Sequence, residues 1–194
     1  FSERTGGPTV IAGEEITTKS HHLIGLGLRR RVRWELSTRD AIDEIHRQGG
    51  LAIAAHPVAP FWRSYAPVID RLDGAEVMHP IAYRSSGRGW RWEQMVEFYE
   101  RARRDGARLA AIGSSDYHFF DLLGICRTLV FARDDTAPSV IEALRAGRTI
   151  VYALDGRAFG DPAMLALVSR EPLPRRPLAG YRARGAFDAV SRVA

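Results

Sequence analysis

One stretch constrains the fold more than any other. The apolar run Leu109, Ala110, Ala111, Ile112 stops at Gly113 and releases Ser114, Ser115, Asp116, Tyr117 and His118. Consecutive apolar residues without alternation read as a strand buried on both faces, the habit of parallel sheets covered by helices. An acid and an imidazole two positions apart at the C-terminal end of such a strand stand where α/β folds build their sites. They suit metal ligation or an acid–base pair.

The same punctuation recurs along the chain. The apolar run at 51–55 closes on His56-Pro57, and the run at 75–78 closes on His79-Pro80. An earlier run at 23–28 follows His21-His22, and a β-like run at 9–12 ends at Gly13 with Glu14 and Glu15 behind it. Further strands are expected at 129–131 and 149–152. Helical patterns lie between. Ser37 or Thr38 can cap a helix carrying Ala41, Ile42, Ile45 and His46, which Gly49-Gly50 ends. Residues 92–105 set Met95, Val96, Phe98 and Tyr99 among charged side chains, and Pro138 opens a helix through Val140, Ile141 and Leu144. Shorter helices are expected at 68–72 and 164–168. Strand then helix, with no repeat of fixed period, predicts an α/β sheet or barrel.

In a parallel α/β architecture the C-terminal strand ends share one face. Glu15, His22, His56, His79, Asp116 and His118 could therefore converge there although they are far apart in sequence. Adjacent residues on an extended segment point to opposite sides, so one of His21/His22 and one of Glu14/Glu15 faces such a site. His46, on a helix, reads as an ordinary hydrogen-bonded residue. His79 reads equally as a site residue or a structural one. Imidazoles mixed with a carboxylate suit zinc, manganese or iron better than calcium. A carboxylate can bridge two ions, and such a centre lowers the pKa of bound water towards about 7.

Bulk properties set limits. At 194 residues the chain suits one domain, expected over 1–160, with a basic, Pro- and Arg-rich extension over 161–194. The net charge is +5, but residues 170–194 hold six Arg against Glu171 and Asp188, so the basicity does not by itself indicate nucleic acid. The basic run Arg29, Arg30, Arg31, Arg33 reads as a solvated loop. A lone cysteine, Cys126, excludes an internal disulfide framework and a multi-cysteine zinc site, and reads as a small buried residue at the start of a strand. No apolar run is long enough to cross a bilayer. The first residue is Phe1, so the sequence is expected to begin inside a longer protein.

Five motifs occur in order: Gly13-Glu14-Glu15; His22-Leu23-Ile24-Gly25-Leu26-Gly27; Gly49-Gly50 with Ala55-His56-Pro57; Asp73-Gly74-Ala75-Glu76-Val77; and Gly113-Ser114-Ser115-Asp116-Tyr117-His118. Together they resemble the PHP (polymerase and histidinol phosphatase) superfamily of metal-dependent phosphoesterases. The Gly-Glu-Glu opening is similar to the branch of carbaryl-hydrolase-like metallohydrolases. The resemblance implies a distorted (β/α)7 TIM-like barrel with up to three divalent metal ions. By position Glu15 would bridge two metals, His22 and His56 would complete one of those sites, Asp116 would serve the other, and His118 the third metal. His79, where the family often has Asn, would contact substrate, act as a general acid or be structural, and the expected catalytic set is His79, Asp116 and His118. The family opens with a His-x-His motif that does not precede Thr9, so the first one or two βα units are expected to be missing. The implied reaction is hydrolysis of a small-molecule phosphate ester by metal-activated water. The alternatives are an amide, carbamate or ester hydrolase, and a non-catalytic scaffold of the same fold. Arg127, Arg84 and Arg88 are candidate phosphate contacts for which surface solvation is the simpler role.

Overall fold

A computed structural model of the chain describes residues 7–79, 91–116, 126–152 and 158–170. They form a mixed α/β structure with two sheets. The first has five strands in sequence order: β1 (Gly13–Thr17), β2 (His22–Leu26), β3 (Leu51–Ala54), β4 (Gly74–Met78) and β5 (Ala110–Gly113). The second has three: β6 (Thr128–Val130), β7 (Thr149–Tyr152) and β8 (Ala158–Gly160). The helices are α1 (Thr38–Arg47), α2 (Ala59–Tyr65), α3 (Trp92–Arg104), α4 (Ala137–Arg145) and α5 (Pro162–Arg170), with a 3-10 segment at Ala66–Arg71.

One expectation is corrected. The sheet is not all parallel: β1 pairs antiparallel with β2 and β2 antiparallel with β3, while β3, β4 and β5 are parallel. Residues 18–21 form a connection too short for a crossover, so β1 and β2 must be antiparallel. After β2 the chain runs back alongside α1: the Arg29 and Arg30 amides donate to Gln48 Oε1 just past the end of that helix, and Thr38 at its start lies 3.0 Å from His21 Nδ1. This extra pass reverses the direction of β3 relative to β2. The described residues form two open sheets, and a closed barrel is not seen among them. The two sheets meet where Thr128 Oγ1, at the start of β6, contacts both the amide and the carbonyl of Gly113 at the end of β5.

Smaller departures have local causes. The run at 9–12 is not a strand, and the first strand starts at Gly13, because pairing with β2 begins there. Helix α2 and strand β8 were not legible in the sequence. The helix near 68–72 is the 3-10 segment.

Each face of the larger sheet has its own apolar filling. Ile16, Leu23, Ala52, Ala54, Ala75, Val77 and Ala111 pack with α1, α2 and α3. Leu51, Ile53, Ala110 and Ile112 pack on the opposite face with Leu144 of α4. Helix α1 shows how the sequence drives this. Ser37 caps it, accepting from the Asp40 amide, and Ala41, Ile42 and Ile45 form one fully buried stripe. It ends at Gly49 (φ 80°), and a Cβ on the next residue, Gly50, would stand 2.8 Å from the Leu26 carbonyl oxygen. Helix α5 is capped by Asp161, whose Oδ1 accepts from the amides of Ala163 and Met164, and it buries Val168. No helix among the described residues is long and apolar enough to cross a membrane.

Two outcomes follow from this packing. Ile45→Ala removes a fully buried side chain wedged between Gly25 and Gly50 and is expected to cost about 2–5 kcal/mol in denaturant unfolding. Cys126 is buried, and burial pushes its thiol up to about 12. Iodoacetamide should modify it in the unfolded protein and leave the native protein unlabelled, as read by mass spectrometry.

Candidate metal centre

The antiparallel register delivers the first ligand pair. His22 opens β2, and β2 runs against β3, so His22 lies beside the end of β3: Leu23 pairs with Ala54, and the Ala55 amide donates to the His22 carbonyl at 3.0 Å. His56 follows at once. On the other side Thr17 pairs with His22 and Glu15 with Ile24, so Glu15, Thr17 and His22 share one face.

Three side chains converge there. Glu15 Oε1 is 2.9 Å from His22 Nδ1 and 3.7 Å from His56 Nε2, and the two ring nitrogens are 3.1 Å apart. Donors bound about 2.0–2.1 Å from one tetrahedral ion stand about 3.3 Å from each other. The three observed separations straddle that value. Among the described residues this is the group whose ligand atoms all lie within 4.8 Å of one another. Two imidazoles and one carboxylate form a borderline donor set that fits zinc, manganese or iron.

Electrostatics match the geometry. Hydrogen bonds from the His22 and His56 rings hold the Glu15 carboxyl far below the usual carboxylate range, against the effect of burial. Burial alone would lower the His56 pKa. The hydrogen bond to Glu15, with the charges of Glu76, Glu15 and Asp116, outweighs it and raises the imidazole's affinity for a proton.

The backbone is strained at this place. Among the described residues the non-glycine residues with positive φ are His56 (26°) and Asp116 (41°), both expected site residues. Such conformations cost on the order of 1–3 kcal/mol each and persist where surrounding contacts over-determine them. At His56 those contacts are visible. Its amide donates to Glu76 Oε2 at 2.6 Å, its carbonyl accepts from Val58 at 2.6 Å, and Trp62 Nε1 donates to the Pro57 carbonyl at 2.6 Å. Phe61 stacks near both rings, with centroids 4.9 Å from His22 and 5.7 Å from His56. The buried Tyr65 hydroxyl donates to the His22 carbonyl from below. Burial pushes that phenol's pKa well above its ordinary value, so it stays protonated as a donor.

The other expected residues take separate places. His79 is 1% exposed; its Nε2 lies 3.4 Å from Asp116 Oδ2 and 3.8 Å from Glu76 Oε2, and its ring centroid is 5.0 Å from that of His56. Asp116 thus adjoins His79, and its charge acts on His56. His118, Arg84 and Arg88 lie outside the described residues, and Arg127 is exposed. His21 is buried away from the cluster, its Nδ1 within 3.0–3.2 Å of the hydroxyls of Thr18, Ser20 and Thr38; burial lowers its pKa. Glu14 points the other way and accepts from the Val32 amide. His46 Nε2 contacts Asp73 Oδ2 at 2.8 Å.

Glu76, which belongs to one of the motifs without a role of its own, and Tyr65 and Phe61 also stand around the site. Glu76 had a signal, a single acid inside an otherwise apolar strand. Tyr65 and Phe61 had none, because α2 was not foreseen.

Comparison with known proteins finds likenesses over parts of the chain. A family described as PHP-associated matches residues 101–149, which include β5, Asp116, β6 and α4. An uncharacterized protein of Methanocaldococcus jannaschii is 39% identical over 87 residues, 44% of this chain and 50% of that protein. The crystal structure of a two-domain protein from Bacteroides vulgatus, containing a predicted PHP-like metal-dependent phosphoesterase, shares the fold with a TM-score of 0.63 at 19% identity. That likeness covers 87% of this chain and 51% of the other. The chain therefore spans about half the length of these relatives. The chain is thus similar to PHP-type proteins over part of its length, through the PHP-associated segment and a shared fold.

Because His56 must lose its proton to bind a cation, zinc or manganese affinity should fall on acidification. Calorimetry at about pH 5.5 is expected to show weaker binding than at about pH 8, with proton release on binding. Equal affinity at both would remove His56 from the ligand set.

Proposed function

We propose that the chain forms a metal site of a metal-dependent hydrolase that cleaves phosphate esters. The observation carrying this reading is the convergence of Glu15, His22 and His56 at the strand ends, with spacings suited to one ion. The likeness to a protein containing a predicted PHP-like metal-dependent phosphoesterase supports the reaction class. In this reading the five-stranded sheet is an arc of the superfamily's distorted barrel.

Glu15, His22 and His56 would hold a divalent cation of the zinc, manganese or iron type. Asp116 is assigned to a neighbouring ion, and His118 to a further one. A bound cation supplies Lewis-acid polarisation and activated water. The chain's own residues do the rest. Glu15 stays anionic and balances charge. Tyr65 fixes the His22 backbone, and Phe61 covers the two rings and keeps water from that side. His79, almost fully buried with Nε2 3.4 Å from Asp116 Oδ2, would orient that carboxylate; its burial favours this over direct contact with substrate.

The test is metal content and turnover of the purified protein and of its His56→Ala and Glu15→Gln variants. Both changes should lower bound metal and reduce turnover of a generic phosphodiester by more than the roughly 10–100-fold typical for loss of an outer-shell partner. In the parent, metal at 100 times its Kd should add about 2.7 kcal/mol of stability, and chelator should remove it. Unchanged metal content in both variants would refute the site. A panel of phosphomonoester, phosphodiester and aryl ester substrates separates phosphate ester hydrolysis from attack on a carbonyl.

A further inference from the structure

We infer that Glu76 is a positioning residue for this centre: by accepting a hydrogen bond it holds the His56 corner in the one geometry that presents the imidazole to Glu15 and His22. The inference rests on the Glu15, His22 and His56 reading and adds a residue that the motif-based ligand set does not contain.

The argument begins with the sheet. The ladder between β3 and β4 ends where Ala54 pairs with Ala75. Beyond it the chain leaves the sheet, and the next amides need other acceptors. Ala55 finds the His22 carbonyl. The His56 amide is buried and has left the ladder, and an unmet buried donor costs as much as a lost hydrogen bond. Glu76, on the neighbouring strand just past the last paired residue, reaches across and supplies Oε2 at 2.6 Å. Strand β4 is buried throughout and Glu76 is 2% exposed. A carboxyl group is expensive in such a place unless it has partners. Glu76 has them on both sides, the His56 amide from just past β3 and, at 3.8 Å, His79 Nε2 from beyond the end of its own strand.

The backbone explains why the site depends on this contact. His56 carries a Cβ at a φ of 26°, a conformation that relaxes unless it is held. Relaxation would swing the ring that stands 3.7 Å from Glu15 and 3.1 Å from His22 Nδ1. Whether charged or neutral, the carboxyl group keeps an acceptor oxygen, so hydrogen-bond acceptance is the property that matters. The side-chain amide of glutamine retains it.

The test compares Glu76→Gln, Glu76→Met and Glu76→Asp in the purified protein. Met keeps the length and removes the acceptor. Asp keeps the acid and withdraws the acceptor by about one C–C bond of ~1.5 Å. Zinc and manganese affinities are read by calorimetry, and amide hydrogen exchange at His56 by NMR, well below the melting temperature. The Gln variant is expected to bind metal within about threefold of the parent with the His56 amide still protected. Met and Asp should weaken binding about 10–100-fold, as loss of an outer-shell partner does, and expose the amide. Ile45→Val, a change remote from the centre, should lower stability without moving metal affinity, so stability loss alone cannot mimic the effect. Parent-like affinity in folded Met or Asp variants would overturn the inference, as would a tenfold loss in the Gln variant. Should Glu76→Met not fold, Glu76→Asp and Glu76→Gln decide. If the parent binds no metal, the metal-centre reading fails, while His56 amide protection in the same variants still tests whether Glu76 holds the corner.

Discussion

The candidate centre depends on the pairing of β2 with β3. Because the two strands are antiparallel, the start of one lies beside the end of the other, and two histidines separated by 34 residues come within 3.1 Å. A slip of one residue in β2 would turn its alternate residues over, burying His22 among the helices and placing Leu23 in the site. The buried Leu23, fully enclosed on the helix side, opposes that slip. An apolar side chain on one face thus sets the address of a ligand on the other.

The polar groups around the cluster continue the same logic. Where the β3–β4 ladder ends, its unmet amides are taken by the His22 carbonyl and by Glu76. Where α2 packs against the corner, Tyr65 and Trp62 donate to the His22 and Pro57 carbonyls. These groups are buried, so each pairing also removes a desolvation cost, and together they sustain a backbone conformation that a free chain would avoid. Burial pushes the Glu76 carboxyl up to about 7, against the pull of the nearby Ser114 hydroxyl, the His56 amide and the His56 charge. A carboxyl group retained at that cost is better explained by what it holds than by stability.

Much of this was legible in the sequence, for identifiable reasons. Helix α1 announces itself through Ser37, the stripe Ala41, Ile42, Ile45 and the glycine pair. Strands β3, β4, β5 and β7 are short apolar runs with clear stops. His56 stood out because a histidine closed such a run. The choice between His21 and His22, or Glu14 and Glu15, was not legible, since strand alternation says that one of each pair faces the site and not which. Helix α2 was hidden because Pro60 and the aromatic residues around it mimic a loop. The all-parallel expectation failed because hydrophobic runs carry no direction; a buried antiparallel strand has the same pattern as a parallel one.

The sequence by itself determined most of the elements and the donor types available, because periodicity, caps and side-chain chemistry are local properties of a chain. Motifs whose order survives without coordinates also carry the resemblance to the PHP superfamily. Only the tertiary structure decided which donors meet. Strand direction and register placed Glu15, His22 and His56 within one ion's reach, while Asp116 was set beside His79. The same structure turned Glu76 from an oddity in an apolar strand into the acceptor beneath His56. Such relations join residues across separate elements, and their free energy comes from contacts that exist only once the sheet has formed.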